Sequence, residues 1–230
     1  MPRLPALIRV GHKGANAIAP GNTLASFDAA LAAGVDMIEF DVLASRDGSE
    51  LYVAHDYREL DVGRTPTLAA ALAHFATPPL AAIRVQLDIK RPGCEERVLA
   101  ELEQSGTLHR AFISTGLWSV LARFRVLAPD LALGWTVPEI PGVTGTPLIT
   151  PTIGRLYRRL LPERAAARIR SRAIDALVPH WSVVTRELVE AVSGAGGELY
   201  AWTVDDPAQI ARLAALGVTG VITNDPRLFA

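Results

Sequence analysis

The run "MIEFDV", residues 37–42, decides how the rest of the chain is read. Successive side chains of a strand point to opposite faces, so Ile38, Phe40 and Val42 share one side and Glu39 and Asp41 the other, roughly 7 Å apart along the strand. Seven further apolar runs read as strands: 6–12 ("ALIRVGH"), 82–89 ("AIRVQLDI"), 111–115, 131–136, 175–181, 198–204 and 220–224. Amphipathic, Ala/Leu-rich segments between them predict helices, for example at 23–33, 67–75, 93–105, 117–127, 183–193 and 206–216. Strands alternating with helices in this way predict an α/β fold, a closed (β/α)8 TIM barrel rather than an open doubly wound sheet. No composition break, linker or internal repeat divides the chain, which predicts a single domain over residues 1–230.

Such barrels carry their chemistry at the C-terminal ends of the strands. Those ends hold His12, Glu39 with Asp41, Asp88 with Lys90, Ser114, Trp135, His180, Trp202 and Asn224. In "RVQLDIK" (84–90), Val85, Leu87 and Ile89 face outward, while Arg84, Gln86, Asp88 and Lys90 face inward. Three inward acids, Glu39, Asp41 and Asp88, repel one another in a partly desolvated mouth unless a cation neutralises them. An all-oxygen set suits Mg2+ or Ca2+ rather than zinc; on spacing alone, a structural network with arginines accounts for the acids equally well. His12 and His55, the latter in "LYVAHD" (51–56), flank this cluster and form a plausible general acid and base near neutral pH. The chain has only two lysines, Lys13 and Lys90, and both fall beside these groups.

A formal net charge of −1 gives no whole-molecule field to recruit nucleic acid. The one cysteine, Cys94, allows no internal disulfide, and its place at a predicted helix start could lower its pKa. No signal-peptide core and no run of about eighteen apolar residues is found, which predicts a cytoplasmic protein. The stretch "GRLYRRLLPERAAARIRSR" (154–172) carries seven arginines against Glu163, and Pro162 predicts its division into two short helices. Arg155–Arg172 is therefore a candidate for peripheral membrane contact with anionic lipid, the alternative being a solvated helix face. Oligomeric state is not legible.

Eight short motifs, in order, resemble the glycerophosphodiester phosphodiesterase family: "GHKGA" (11–15), "PGNT" (20–23), "IEFDV" (38–42), "RDG" (46–48), "AHD" (54–56), "LDIK" (87–90), "AWTV" (201–204) and "GVITNDP" (220–226). The match is weakest between 140 and 175. The resemblance implies a TIM barrel of the phospholipase-C-like phosphodiesterase type, acting on glycerol-linked phosphodiesters with a divalent cation, Mg2+ or Ca2+. By motif, Glu39, Asp41 and Asp88 would hold the metal, His12 and His55 would be the acid/base pair, and Lys13, Lys90 and Trp202 would bind substrate. The family's reaction is an internal attack by a glycerol hydroxyl, giving a cyclic phosphate that is then hydrolysed.

Three residues depart from the family pattern: Lys13 replaces an arginine, Gly21 a glutamate, and Asp88 a glutamate ligand. The last is more similar to the related sphingomyelinase D enzymes, which implies a cyclic phosphate as the alternative final product. A catalytically silent, phosphodiester-binding barrel is the other alternative. The short segment between His55 and the third strand predicts an open mouth, which would suit a bulkier substrate such as a lysophospholipid.

Overall fold

A computed structural model of the chain describes residues 7–63, 65–138 and 151–230, with the backbone alone for 151–155. The first half runs β1 (Ile8–Gly11), α1 (Leu24–Ala32), β2 (Met37–Ala44), β3 (Leu51–Tyr52), α2 (Tyr57–Asp61), α3 (Leu68–Phe75), β4 (Arg84–Ile89) and α4 (Glu95–Gln104). The second half runs β5 (Ala111–Thr115), α5 (Trp118–Leu127), β6 (Ala132–Val137), α6 (Pro151–Arg170), β7 (Ala176–Pro179), α7 (Arg186–Gly194), β8 (Glu198–Ala201), α8 (Pro207–Leu216) and β9 (Gly220–Thr223).

Eight strands are parallel in the order β1-β9-β8-β7-β6-β5-β4-β2, and β1 also pairs with β2, so the sheet closes into a barrel. Only β3 is antiparallel among the described residues, with Leu43 of β2 opposite Tyr52. The alternation in "MIEFDV" now has a physical meaning. Ile38, Phe40 and Val42 are fully buried in the layer between barrel and helices, where Phe40 meets Phe27 and Phe75 at ring distances of 5.4 Å. Inside the barrel a second apolar cluster of Val10, Met37, Phe112, Ala176, Val178, Tyr200 and Ile222 fills the lumen below the mouth. Gly134 makes room there: a Cβ on it would lie 2.5 Å from the Phe112 ring. Outward residues thus anchor the helices, and inward residues near the strand tips are left to build a site.

Two elements differ from expectation. Residues 57–61 form a short helix, because Asp56 accepts hydrogen bonds from the Arg58 and Glu59 amides and caps its first turn. Pro162 does not divide its segment; α6 runs unbroken through it for 20 residues. An interior proline costs roughly 3 kcal/mol. Leu161 and Ile169, 1% and 7% exposed, each return about 1.5–3 kcal/mol on burial, so packing outweighs the lost bond. No helix among the described residues is long and apolar enough to cross a membrane.

Candidate active site

At the C-terminal end of the barrel lies a cavity of about 180 Å3 lined by His12, Lys13, Glu39, Asp41, His55, Gln86, Asp88, Lys90, Thr136, Val178, Trp202 and Ile222. The eight residues that the motifs assign to the site all face this one space: His12, Lys13, Glu39, Asp41, His55, Asp88, Lys90 and Trp202. Strand register explains the acids. Asp41 lies beside Asp88 and Glu39 beside Gln86 across the β2–β4 pair, so their side chains enter the lumen at matched heights.

The loop after β1 shapes the near wall. Lys13 and Asn22 take left-handed backbone conformations (φ 50° and 59°), as does Gly14 (φ 82°). Glycine is required at 14, because a Cβ would come within 2.6 Å of the Ser26 backbone as well as meeting its hydroxyl. The turn leaves the Lys13 amide donating to Glu39 Oε2 at 2.9 Å and the Ser26 hydroxyl donating to the Lys13 carbonyl at 2.8 Å.

Asp41 is the most connected carboxylate. It is 1% exposed, its Oδ1 lies 2.6 Å from Lys90 Nζ, and its Oδ2 meets Asn22 Nδ2 at 2.9 Å, Lys13 Nζ at 3.2 Å and His55 Nδ1 at 3.3 Å. Burial acts to raise its pKa, but His55, both lysines and Asn22 hold it well below the usual carboxylate range. Asp88 is fixed differently: Oδ1 accepts from the Ser114 hydroxyl at 2.8 Å and the Thr136 hydroxyl at 3.0 Å, and Oδ2 from Lys90 at 2.6 Å. Glu39 has less support. Burial first, then the charges of Asp41 and Asp88, push its pKa up to about 8. Burial acts to lower both lysines as well, yet Asp41 and Glu59 raise Lys13, and Asp88 and Asp41 raise Lys90, so both remain ammonium ions.

The donor set fits a hard divalent cation in kind: the lining acids offer oxygen only, and Glu39 is forced toward its neutral form by neighbours that a cation would neutralise. The arrangement is not a ready-made cage. Lys90 stands between Asp41 and Asp88, and no group of three or more metal-ligating side chains is gathered around one point among the described residues. A cation shared by all three acids has to displace Lys90 from between two of them.

His12 follows β1 and is held from behind. Its Nδ1 lies 2.7 Å from Asn224 Oδ1, while Asn224 Nδ2 donates to Asp205 Oδ2 at 2.6 Å. The Asp205 contact fixes the amide with its oxygen toward the imidazole, so Nδ1 carries the proton and Nε2 is the free basic nitrogen. Nε2 lies 3.9 Å from Glu39 Oε2. Burial lowers the His12 pKa and favours the neutral ring. His55, half exposed, stands on the loop before α2 with its ring against Asp41. Trp202 gives the cavity an apolar wall, its indole N–H bound to the Val178 carbonyl at 2.9 Å.

Other candidates are placed elsewhere. Trp135 points to the helical layer and packs on Trp118 at 4.8 Å, so it is no part of the cavity wall. His180 contacts the Ser182 hydroxyl at 2.7 Å and the edge of Trp202 at 5.5 Å, and does not line the cavity. Ser114 does not line the cavity; its hydroxyl donates to Asp88 Oδ1 at 2.8 Å and accepts from Gln86 at 3.0 Å, which makes it a support of that acid. Cys94 is buried, and burial followed by the charge of Glu95 pushes its thiol up to about 11, the reverse of the expected lowering. The side chain of Arg155 lies outside the described residues. Sequence reading missed Thr136, Asn22, Glu59 and the Asn224–Asp205 pair as supports. Asn224 sits at a strand tip and Asn22 in a quoted motif, but the partners of Thr136 and Glu59 are set by folding alone.

The sequence model of the glycerophosphoryl diester phosphodiesterase family matches residues 12–104 and 97–228, and the chain belongs to that family. A glycerophosphodiester phosphodiesterase of Caldanaerobacter subterraneus subsp. tengcongensis is 27% identical over 252 residues, covering 94% of this chain and 93% of that protein. Among solved structures, the glycerophosphodiester phosphodiesterase of Agrobacterium tumefaciens superposes with a TM-score of 0.73 at 22% identity, covering 97% of this chain and 98% of that one. A phosphodiesterase of Oleispira antarctica, solved in complex with the product sn-glycerol-3-phosphate, gives a TM-score of 0.69 at 21% identity, covering 95% and 93%. These likenesses, at their identities, establish the shared barrel.

Proposed function

We propose that the chain is a glycerophosphodiester phosphodiesterase, a single catalytic barrel of residues 1–230 that hydrolyses a glycerol-linked phosphodiester to a glycerol phosphate and an alcohol. The observation that carries this reading is the pair of imidazoles, His12 against Glu39 and His55 against Asp41, on the wall of a cavity that also holds two ammonium groups. Family membership and the product bound to the Oleispira relative support the substrate class.

In this reading His12 is the first base. Its Nε2 takes the proton from the glycerol hydroxyl next to the phosphodiester, that oxygen attacks phosphorus, and the P–O bond to the alcohol breaks as His55 gives that oxygen a proton. A cyclic glycerol phosphate results. The roles then reverse: His55 takes a proton from water, the water oxygen attacks phosphorus, and protonated His12 returns its proton to the departing glycerol oxygen. No net proton is consumed. Lys13 and Lys90 face the phosphoryl oxygens, and Trp202 packs against the part of the substrate that does not react. Glu39, Asp41 and Asp88 would hold a divalent cation, Mg2+ or Ca2+, which would neutralise charge developing on the phosphoryl group. The single cysteine favours a cytoplasmic location.

Turnover of glycerophosphocholine by purified protein, followed by 31P NMR with Mg2+ or Ca2+ and again after chelation, tests the whole reading. Glycerol phosphate should accumulate, and chelation should stop it. A cyclic phosphate that persists as the end product removes simple hydrolysis in favour of a sphingomyelinase D-like lyase. No turnover under either metal leaves a binding barrel.

A further inference from the structure

Glu59 is a fourth carboxylate at the site, on α2 rather than on a barrel strand, and the mechanism above gives it no task. Its two oxygens nonetheless join three parts of the machinery. Oε1 lies 3.2 Å from Lys13 Nζ, and Oε2 accepts from the His55 amide at 2.8 Å and from Asn22 Nδ2 at 3.0 Å. The same Asn22 nitrogen donates to Asp41 Oδ2 at 2.9 Å, and Asn22 Oδ1 accepts from the Asp41 amide at 3.2 Å, so Glu59 is tied through a fully buried side chain to the hub acid.

We propose that Glu59 is a positioning residue that holds the Lys13 ammonium and the His55 backbone in their working places; this rests on the phosphodiesterase reading above. A lysine is a point charge on a flexible four-carbon stem, so its value at a phosphate depends on what fixes it. Here the stem has somewhere else to go. A second cavity of about 180 Å3 adjoins Lys13 on its other side, bounded by Gly21 and Glu59. Gly21 packs closely against the root of the lysine: a Cβ there would collide with Asn16 Oδ1 and stand 2.9 Å from the Lys13 Cβ, so the stem is fixed at its base and free only toward its ammonium end. Asp41 and Glu59 are the two carboxylates that hold the Lys13 ammonium, and Asp41 is shared with Lys90 and His55. Whenever Asp41 is engaged by another cation, Glu59 is the anion that keeps Lys13 from swinging into the side cavity.

The test is a double-mutant cycle of Glu59→Gln and Lys13→Ala, read as affinity for inorganic phosphate by calorimetry and as kcat and KM on glycerophosphocholine. Glutamine keeps an oxygen for the His55 amide and preserves shape but removes the charge opposite Lys13, whereas Glu59→Ala would remove the acceptor for the His55 amide as well. With Lys13 present, Glu59→Gln should weaken phosphate binding and lower kcat/KM about tenfold; in the Lys13→Ala background the further loss should be at most about twofold. Equal losses in both backgrounds, or no loss in either, overturn the proposal. Protein that shows the coupling in phosphate binding yet hydrolyses no glycerophosphodiester sinks the functional reading alone. A chain that binds no phosphate sinks both.

Discussion

The two arcs of the barrel rim are built from different chemistry. From β1, β2 and β4 come His12, Lys13, Glu39, Asp41, Asp88 and Lys90, joined by His55 from the loop after β3; from β6 to β9 come Thr136, Val178, Trp202 and Ile222. The charged arc is also the heavily cross-bonded one, with four partners on Asp41 and three on Asp88. The other arc offers one hydroxyl and apolar surface. In the mechanism proposed above, that asymmetry would set the reacting phosphoryl group against β1–β4 and leave β6–β9 to contact what does not change. Mutations on the charged arc should therefore act on kcat, and those on the apolar arc on KM.

The hardest test of that division is His12→Ala. Loss of the first base should lower kcat on glycerophosphocholine by about 10³-fold while KM moves little, since general-base catalysis is worth about 10²–10⁴-fold. The His12 side chain is one-fifth exposed and, among the described residues, its ring is hydrogen-bonded from behind by Asn224, so the variant should fold, as circular dichroism would check. A kcat within tenfold of wild type would move the chemistry off the charged arc.

Thr136→Val probes the seam between the arcs. The Thr136 hydroxyl reaches across the mouth to Asp88 Oδ1, where Ser114 also donates. Valine keeps the volume and deletes one of two hydroxyl donors to a carboxylate, a loss of about 1.5–3 kcal/mol if uncompensated. With Ser114 still in place the expected fall in kcat/KM is about tenfold. An unchanged value would show that Ser114 and Lys90 hold Asp88 without help from the far arc.

These supports also mark how far the sequence could be read. The eight barrel strands stood out because each alternates or runs apolar between helical segments, and period-two alternation alone told Glu39 and Asp41 from Ile38 and Phe40. Side chains at strand tips were visible as candidates for the same reason, and all eight site residues reached one cavity. Thr136 and Glu59 were not visible, because a hydroxyl pointing at Asp88 from two strands away depends on barrel closure, and Glu59 depends on a one-turn helix whose cap is Asp56. Pro162 misled in the opposite way: the local rule against interior proline is sound, but a helix whose apolar face is buried on the barrel obeys packing first.

Trp202→Ala tests the apolar arc with a smaller effect. The indole lines the cavity and is braced by the Val178 carbonyl and by the His180 ring. Removing it should raise KM for glycerophosphocholine about tenfold and leave kcat within about threefold, because the lost contact is made equally in ground and transition states. A fall in kcat larger than the rise in KM would place the tryptophan against the reacting group.

The smallest expected effect lies on the outside of the same arc, in α6. Arg159, Arg164, Arg168 and Arg170 of α6 and Arg172 just beyond it are exposed, Arg168 lying over the Trp118 ring at 4.4 Å, whereas the half-buried Arg158 binds the Ser182 carbonyl. Basic charge alone does not seat a helix in a bilayer; the apolar face must be free to enter the headgroup region. In α6 that face is spent: Leu161, Ala165, Ala166 and Ile169 are buried within the fold, leaving Leu156 as the exposed large apolar side chain among the described residues of the helix. Replacing Arg159 and Arg164 with alanine should therefore leave both turnover of glycerophosphocholine and sedimentation with equimolar phosphatidylglycerol–phosphatidylcholine vesicles unchanged at 0.15 M salt, where surface charges more than about 8 Å apart are largely screened. Wild-type protein that pellets with the vesicles, and stops doing so when those two arginines are removed, would show that the rim's non-reacting arc carries a second job: holding the mouth near a lipid surface.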